Sequence, residues 1–448
     1  MSFPGVDGEP FHMLIDCGAL SSTDGQLRAV VSDIKKRTNS TIDVVIATHE
    51  HWDHISGFLQ AKQVFDGITV KDVWASWTEE PENLTAKQLK ERFKKKKKAV
   101  EMAVRKMPED DTNQHLGLYR KSITHLLGFT GGLGTNASDK TGTAWSNYLG
   151  LSKRKTYCSP KRAPIALEAV EGVRVFVLGP PEDPDYIKQK LSKVETYDDG
   201  GHAFSAFAGF AAAFADDKTS DEKERSFPFD KRYRVLPRTA KRNPFFVSQY
   251  GFDDERESSW RRIDDDWLAQ AGELALHLDS YTNNTCFALA IELGEDGKVL
   301  LFPGDAQVGN WLSWSDLSWK VKNSDGSYRN VDIDDLLGRT VLYKVGHHGS
   351  HNATLRAKGL ERMTSEDLVS LIPVHRETAK AQKWEFPFPP LWDSLKKRCH
   401  GRVLLADTNN MDEIREDLEA LLSSEDLNDF ERSVSYDDDL SIAYTISF

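Results

Sequence analysis

From Thr48 to His54 the chain reads Thr-His-Glu-His-Trp-Asp-His, so three imidazoles and two carboxylates fall within six residues. Imidazole and carboxylate are the donors that Zn²⁺ and Mn²⁺ accept. The run Val44-Val45-Ile46-Ala47 just before them is apolar and reads as a strand. At an extended end, His49 and His51 point the same way because side chains alternate. Asp53 and His54 then turn back toward them. This order suits a pair of divalent cations in one pocket better than solvated histidines on a loop. Two more polar clusters end strand-like runs: Gly304-Asp305, and Gly346-His347-His348-Gly349-Ser350-His351. A β-scaffold that gathers ligands from several loops would bring all three together.

The clusters need elements to carry them. Residues 12–15 read as a strand ending in Asp16-Cys17-Gly18, and further strands are expected over 42–47, 70–77, 173–178, 287–293, 299–302, 340–345, 368–374 and 402–406. Leu27, Val30, Val31 and Ile34 recur at helical spacing and predict a helix over 25–36. Others are expected over 57–64, 85–107, 260–278 and 390–397. Residues 79–164 read as a mostly helical insertion with a Gly-rich loop at 128–136. Its run Lys94 to Lys98 reads first as a solvated helix face and second as an anion-binding surface. A second, irregular insertion at 202–256 carries the basic cluster Lys231, Arg232, Arg234, Arg238, Lys241 and Arg242. The acidic stretch from 412 onward is expected to end in an edge strand over 442–448.

With 448 residues, 29% charged and 39% hydrophobic, the chain reads as a soluble globular protein. It has no apolar run of the roughly eighteen residues that a spanning helix needs, and no basic-then-apolar leader. The four cysteines, Cys17, Cys158, Cys286 and Cys399, form no C-x-x-C pair, which fits free thiols in a reducing cytoplasm. A net charge of −12 excludes indiscriminate polyanion binding but leaves local basic tracks open. Alternating strands and helices give an α/β chain, taken as a single domain over 1–448, and no internal repeat is present.

These motifs resemble the metallo-β-lactamase superfamily. Within it, Leu14-Ile15-Asp16-Cys17-Gly18, the H-x-H-x-D-H run, Val177-Leu178-Gly179-Pro180, Asn283-Asn284-Thr285-Cys286, Leu300-Leu301-Phe302-Pro303-Gly304-Asp305 and Lys344-Val345-Gly346-His347-His348-Gly349-Ser350 are similar to the ComEC-type branch. The resemblance implies a four-layer αββα sandwich with the metals at one edge, in a stand-alone relative without membrane spans. It assigns His49 and His51 to a first metal, Asp53 and His54 to a second, and Asp305 to both. His347 or His348 would complete the second site while the other faces the substrate; the strand-Gly-His order favours His347 as ligand. Asn283 or Asn284 stands where many members supply a third histidine to the first metal, so that site is expected to be weak, tilting the pair of Zn or Mn ions toward Mn²⁺. His202 or His351 are the substitutes from elsewhere, and His277 reads as structural. Cys286 replaces a serine of the branch and is read either as packing or as functional. The resemblance also implies one more opening strand than the lead-in before His12 supplies, so the chain start is read as truncated and one sheet edge as exposed.

Two cations would ionise a bridging water and polarise the electrophile. Asp53 or Asp305 would orient the hydroxide. His347 or His348, Ser350 and nearby backbone amides would stabilise the transition state, with Asn283, Asn284, Ser350 and His351 as substrate-binding candidates. The leading expectation is a phosphodiesterase or nuclease, its basic segments guiding a phosphate-ester or nucleic-acid substrate. The alternatives are hydrolysis of a small ester or lactone, and a weakly catalytic module of a multi-gene system whose insertions bind a protein partner.

Overall fold

The computed structural model describes residues 1–20, 22–106, 140–188, 195, 235–251, 278, 280–381, 384–437 and 440–448. The Gly-rich segment 128–136, His202, Lys231, Arg232, Arg234, His277 and nearly all of the expected helix 260–278 lie outside these residues.

One sheet has five strands in spatial order: β1 (Ser2–Phe3), β2 (Phe11–Ile15), β3 (Thr41–Ile46), β4 (Thr69–Ser76) and β5 (Lys155–Cys158). β2 to β5 run parallel, and β1 pairs antiparallel with β2. Where the sequence reading expected an irregular lead-in and an exposed edge, β1 pairs with β2 over two residues and covers that edge there. At two residues it is too short to show a periodic pattern. Helices α1 (Asp24–Arg37), α2 (Trp52–Ile55), α3 (Leu84–Lys106) and α4 (Lys140–Leu149) connect or flank these strands. Thr23 starts α1 through a reciprocal capping box with Gln26.

The second sheet holds β6 (Ile165–Ala166), β7 (Val173–Val177), β8 (Leu289–Leu293), β9 (Lys298–Phe302), β12 (Thr340–Lys344), β13 (Val369–Ile372) and β14 (Val403–Leu405). Their spatial order is β14-β13-β12-β9-β8-β7-β6. The β9–β12 half is parallel and the β9–β6 half antiparallel. Between β9 and β12 lie α5 (Val308–Ser313), the hairpin β10 (Ser318–Lys322) and β11 (Tyr328–Asp332), and α6 (Ile333–Gly338). After β13 comes α7 (Pro389–Arg398).

Strand alternation builds the layers. Val44 and Ile46 of β3, Leu289 and Ile291 of β8, and Leu300 and Phe302 of β9 share one core, which lies between the sheets. The opposite faces pack on helices. Val45 and Val73 meet Val31 of α1 and Tyr148 of α4, while Ala290 and Leu301 meet Trp311, Leu336 and Leu391. The order is α/β/β/α, a mixed α/β sandwich. Each fully buried aliphatic side chain contributes roughly 1.5–3 kcal/mol, so these opposed faces dominate its stability.

The acidic C-terminal stretch folds further than its charge suggests. It forms α8 (Asp412–Leu421), α9 (Ser424–Ser433) and a hairpin of β15 (Val434–Asp437) with β16 (Ser441–Tyr444). Ile414, Leu418 and Phe430 join the inter-sheet core from an otherwise charged pair of helices. The strand expected over 442–448 forms only over Ser441–Tyr444 and pairs with its own hairpin partner.

Asn310 of α5 ties its helix to the segment that enters β8. Its side-chain amide donates to the carbonyls of Asn284 (3.1 Å) and Cys286 (2.9 Å), and its carbonyl accepts from the Trp314 indole (2.9 Å). All of this is buried. Asn310→Ala leaves those groups unpaired, so it is expected to lower the unfolding free energy by about 2–4 kcal/mol. Chemical denaturation followed by tryptophan fluorescence checks this; an unchanged midpoint would contradict the tie.

Candidate metal centre

The carboxyl ends of β2, β3, β9 and β12 converge at one edge, where α/β folds commonly place their sites. β2 delivers Asp16 and β3 delivers Thr48 and His49. β9 delivers Asp305, and β12 delivers His347 and His348. The sheets are stitched here by Phe287, whose backbone N–H donates to the Thr48 carbonyl (2.8 Å). Close backbone approach explains two glycines. A Cβ on Gly18 would sit 2.6 Å from the backbone of His54 and Ile55, and Gly304, at φ +60°, would meet the Thr48 side chain at 2.9 Å.

His49, His51, Asp53, His54 and Asp305 are all buried. Two groups of donor atoms form among the described residues, each lying within 4.8 Å: His49, His51 and Asp305, and Asp53, Asp305 and His348. Asp305 belongs to both. Its Oδ2 lies 3.9 Å from His49 Nε2 and 3.1 Å from His54 Nε2, and its Oδ1 accepts from the His347 backbone N–H (2.9 Å). His54 Nε2 is also 3.6 Å from Asp53 Oδ2, so this imidazole faces both carboxylates. His348 Nε2 is 3.0 Å from the same Asp53 oxygen, with its Nδ1 on the Pro373 carbonyl at 2.5 Å.

The sequence preference was for His347 as ligand; the geometry groups His348, rather than His347, with Asp53 and Asp305. Both residues have positive φ, 45° and 54°, as does Gly349 at 79°. Two consecutive left-handed residues turn the chain back on itself at a cost of order 1–3 kcal/mol each, which extrapolation from the strand could not foresee. His347 instead sets its Nδ1 on Ser350 Oγ (2.9 Å), and that hydroxyl also meets Asn352 Oδ1 (3.1 Å). Ser350 therefore orients His347. His351 belongs to neither donor group, and its ring edge packs on Phe388.

Asn284 needs the same kind of correction. Its carbonyl oxygen accepts from the Asn310 backbone N–H (3.0 Å) and its amide donates to the Ile187 carbonyl (3.3 Å). Both ends of the side chain hold neighbouring segments. Asn283 is fully buried beside it. Cys286 is buried in the helix-facing core of the second sheet, and burial pushes its thiol well up, which fits packing.

Asp16 was legible as the end of a strand but not as part of the site. Its Oδ1 accepts from the Thr48 N–H (2.7 Å). Its Oδ2 accepts from the Thr48 hydroxyl (2.9 Å) and meets His54 Nδ1 at 2.7 Å. Carboxylates that orient an imidazole in this way are a recurrent support for metal ligands. The parallel pairing of β2 with β3 creates the contact.

Burial drives the protonation states apart. Desolvation, then the neighbouring imidazoles, hold His49 well below its ordinary value, and burial lowers His51 to about 4. Both are neutral near pH 7, as ligands must be. Burial also opposes charge on His54, but Asp305, Asp16 and Asp53 outweigh it and raise its pKa well above the ordinary value. Burial opposes charge on Asp53 and Asp305 too. His54 and His348 overcome it for Asp53, and His54, His347 and His49 for Asp305, so both stay below the usual carboxylate range.

His49 Nε2 and Asp53 Oδ1 are buried and make no hydrogen bond among the described residues. Stranding such atoms costs about 1–3 kcal/mol each, and a cation would satisfy them. The donor set fits a divalent ion.

Residues 6–134 match the family model of the metallo-beta-lactamase superfamily. No curated protein and no solved structure matches the chain. The α/β sandwich is consistent with that superfamily, whose members are mostly metal-dependent hydrolases. The matched metallo-beta-lactamase span carries Asp16 and the histidine run; Asp305 and His348 lie beyond it and are brought to the same edge by the fold. No helix among the described residues is long and apolar enough to cross a membrane.

Two outcomes are expected from this arrangement. Asp16→Asn should weaken Mn²⁺ or Zn²⁺ binding about 10–100-fold in direct titration, and equal affinities would refute the orienting role. Ion uptake near neutral pH should release a proton from His54, read as a binding heat that varies with buffer ionisation enthalpy. A buffer-independent heat would count against it.

Proposed function

We propose that this chain is a metal-dependent phosphodiesterase of nuclease type, related to the ComEC-type branch. The observation that carries the reading is the pair of donor groups joined through Asp305. Cations held by His49, His51 and Asp305 on one side, and by Asp53, His54, Asp305 and His348 on the other, would supply Lewis-acid polarisation and an ionised water near neutral pH. With Asn284 committed elsewhere, the first group has two imidazoles and one carboxylate and is the weaker, which favours Mn²⁺.

The chain's own groups set up the reaction. Asp16 fixes His54 through Nδ1, which presents Nε2 to the two carboxylates. The His347 backbone fixes one oxygen of Asp305, so the other faces the imidazoles. His348 is anchored through Nδ1 on the Pro373 carbonyl, which presents Nε2 toward Asp53. Burial opposes charge on this imidazole and the hydrogen bond to Asp53 outweighs it, so the ring would give up its Nε2 proton to hold a cation. We assign the His347 ring, held by Ser350, to a phosphoryl oxygen of the substrate.

A charged phosphate is favoured over a neutral ester by what adjoins the centre. A cavity of about 320 Å³ has His49 and Glu50 in its wall, and lysines of α3 line it as well. That volume suits one small ligand group. The second basic segment offers no such support: its described members Arg238, Lys241 and Arg242 are exposed and line no described cavity.

The test is turnover of bis-p-nitrophenyl phosphate, single-stranded DNA, RNA and a lactone, each with Mn²⁺ and with Zn²⁺. Phosphodiester turnover is expected, and Asp53→Ala should cut its kcat/KM by at least about a thousandfold, or about 4 kcal/mol of barrier. Turnover of the lactone alone would overturn the assignment.

A further inference from the structure

The cavity beside His49 is walled on one side by helix α3, which belongs to none of the strand-end motifs. The helix is fixed in rotation by its apolar side. Ala86 and Leu89 are buried with Trp77 and Ile187, and Phe93 stacks on Tyr281 with ring centroids 5.6 Å apart. Below them Glu79, almost wholly buried, receives both the Lys90 ammonium (2.6 Å) and the Trp145 indole N–H (2.8 Å). With the helix so held, Lys90, Lys94 and Lys97 stand one turn apart on the same face, and all three line the cavity.

Their roles differ. Lys90 is neutralised by Glu79 and belongs to the anchor. Lys94 is exposed and forms no ion pair among the described residues, and Lys97 is half-buried. Across from them the Tyr281 hydroxyl is buried and makes no hydrogen bond among the described residues. Burial raises that phenol to about 12, so it remains a donor at neutral pH. Thr282 and Thr285 line the same wall, but their hydroxyls are spent on the carbonyls of Leu278 and Thr282. Glu50 is the other acidic group on the cavity wall, next to His49 in the chain. Lys94, Lys97 and the Tyr281 phenol therefore line one cavity together with His49, a residue of the metal centre.

We infer that Lys94, Lys97 and Tyr281 form a subsite for the neighbouring phosphate of a nucleotide strand, so that one nucleotide occupies the cavity while the scissile diester lies at His49. The inference rests on the phosphodiesterase reading and adds to it which arm of the substrate is recognised, and by what. A short oligonucleotide is selected over a simple diester because only the former carries a second phosphate into the cavity. Flexible lysines and an aromatic wall hold such a strand without reading its sequence.

The probes are a 5′-phosphorylated thymidine dinucleotide and bis-p-nitrophenyl phosphate, with the Mn²⁺-loaded protein. Lys94→Gln/Lys97→Gln should lose about tenfold more kcat/KM on the dinucleotide than on the aryl diester, and its salt dependence should flatten by about one unit of log–log slope. Lys94→Arg/Lys97→Arg should restore most of the loss, which a merely structural role of the helix would not predict. Equal losses on both substrates, or an unchanged salt slope, overturn the subsite. Should neither probe be turned over by the unaltered protein, the hydrolase reading fails, and the subsite is then judged by binding alone. Calorimetric titration of the dinucleotide into Asp53→Asn protein should give binding that the paired glutamines weaken at least about fivefold. Absent or insensitive binding refutes the proposal.

Discussion

Two carboxylates, Asp53 and Asp305, have to remain ionised in a place from which water is almost excluded, and much of the architecture answers that demand. Burial alone would drive them to their neutral forms. Imidazoles from both sides of the edge prevent it, and each imidazole is in turn steadied by something further out: His54 by Asp16, His348 by the Pro373 carbonyl, His347 by Ser350. Removing one outer partner leaves the inner charge to bear its desolvation alone, which is why the supporting residues matter as much as the donors. Left-handed backbone at Asp16, His347 and His348 is tolerated where this network over-determines the chain.

Much of this frame can be read from the chain itself. Residues 42–47 were expected as a strand and form Thr41–Ile46; 85–107 were expected as a helix and form Leu84–Lys106. The strand declares itself through its apolar run, and the helix through a composition rich in Lys, Glu and Ala. What escaped depends on partners distant in sequence. Asp16 becomes part of the centre only when β2 lies parallel to β3, and Asn284 meets Asn310 only when α5 packs against the entry to β8. The order of His347 and His348 hinges on two backbone dihedrals that no pattern encodes. In α8 the charge hid a short stripe, Ile414 and Leu418, that packs into the core.

The lysine-rich helix shows how composition can mislead by averaging. Five consecutive lysines look like one surface, yet helical geometry sends them to different sides. Lys96 lies over the Tyr281 ring at 5.8 Å, whereas Lys94 and Lys97 reach the cavity. Which of them matters is decided by Leu89 and Phe93, the apolar residues that set the rotation of the helix. A net charge of −12 is compatible with this local arrangement because the field near His49 is set by a few groups within a Debye length of about 8–10 Å.

Donors at the centre come from both sheets: His49, His51, Asp53 and His54 follow β3, while Asp305 and His348 follow β9 and β12. Each of the two donor groups includes Asp305 from the second sheet and a residue that follows β3 of the first, so neither group is complete within one half of the sandwich. An ion held there would act as a rivet between the two halves.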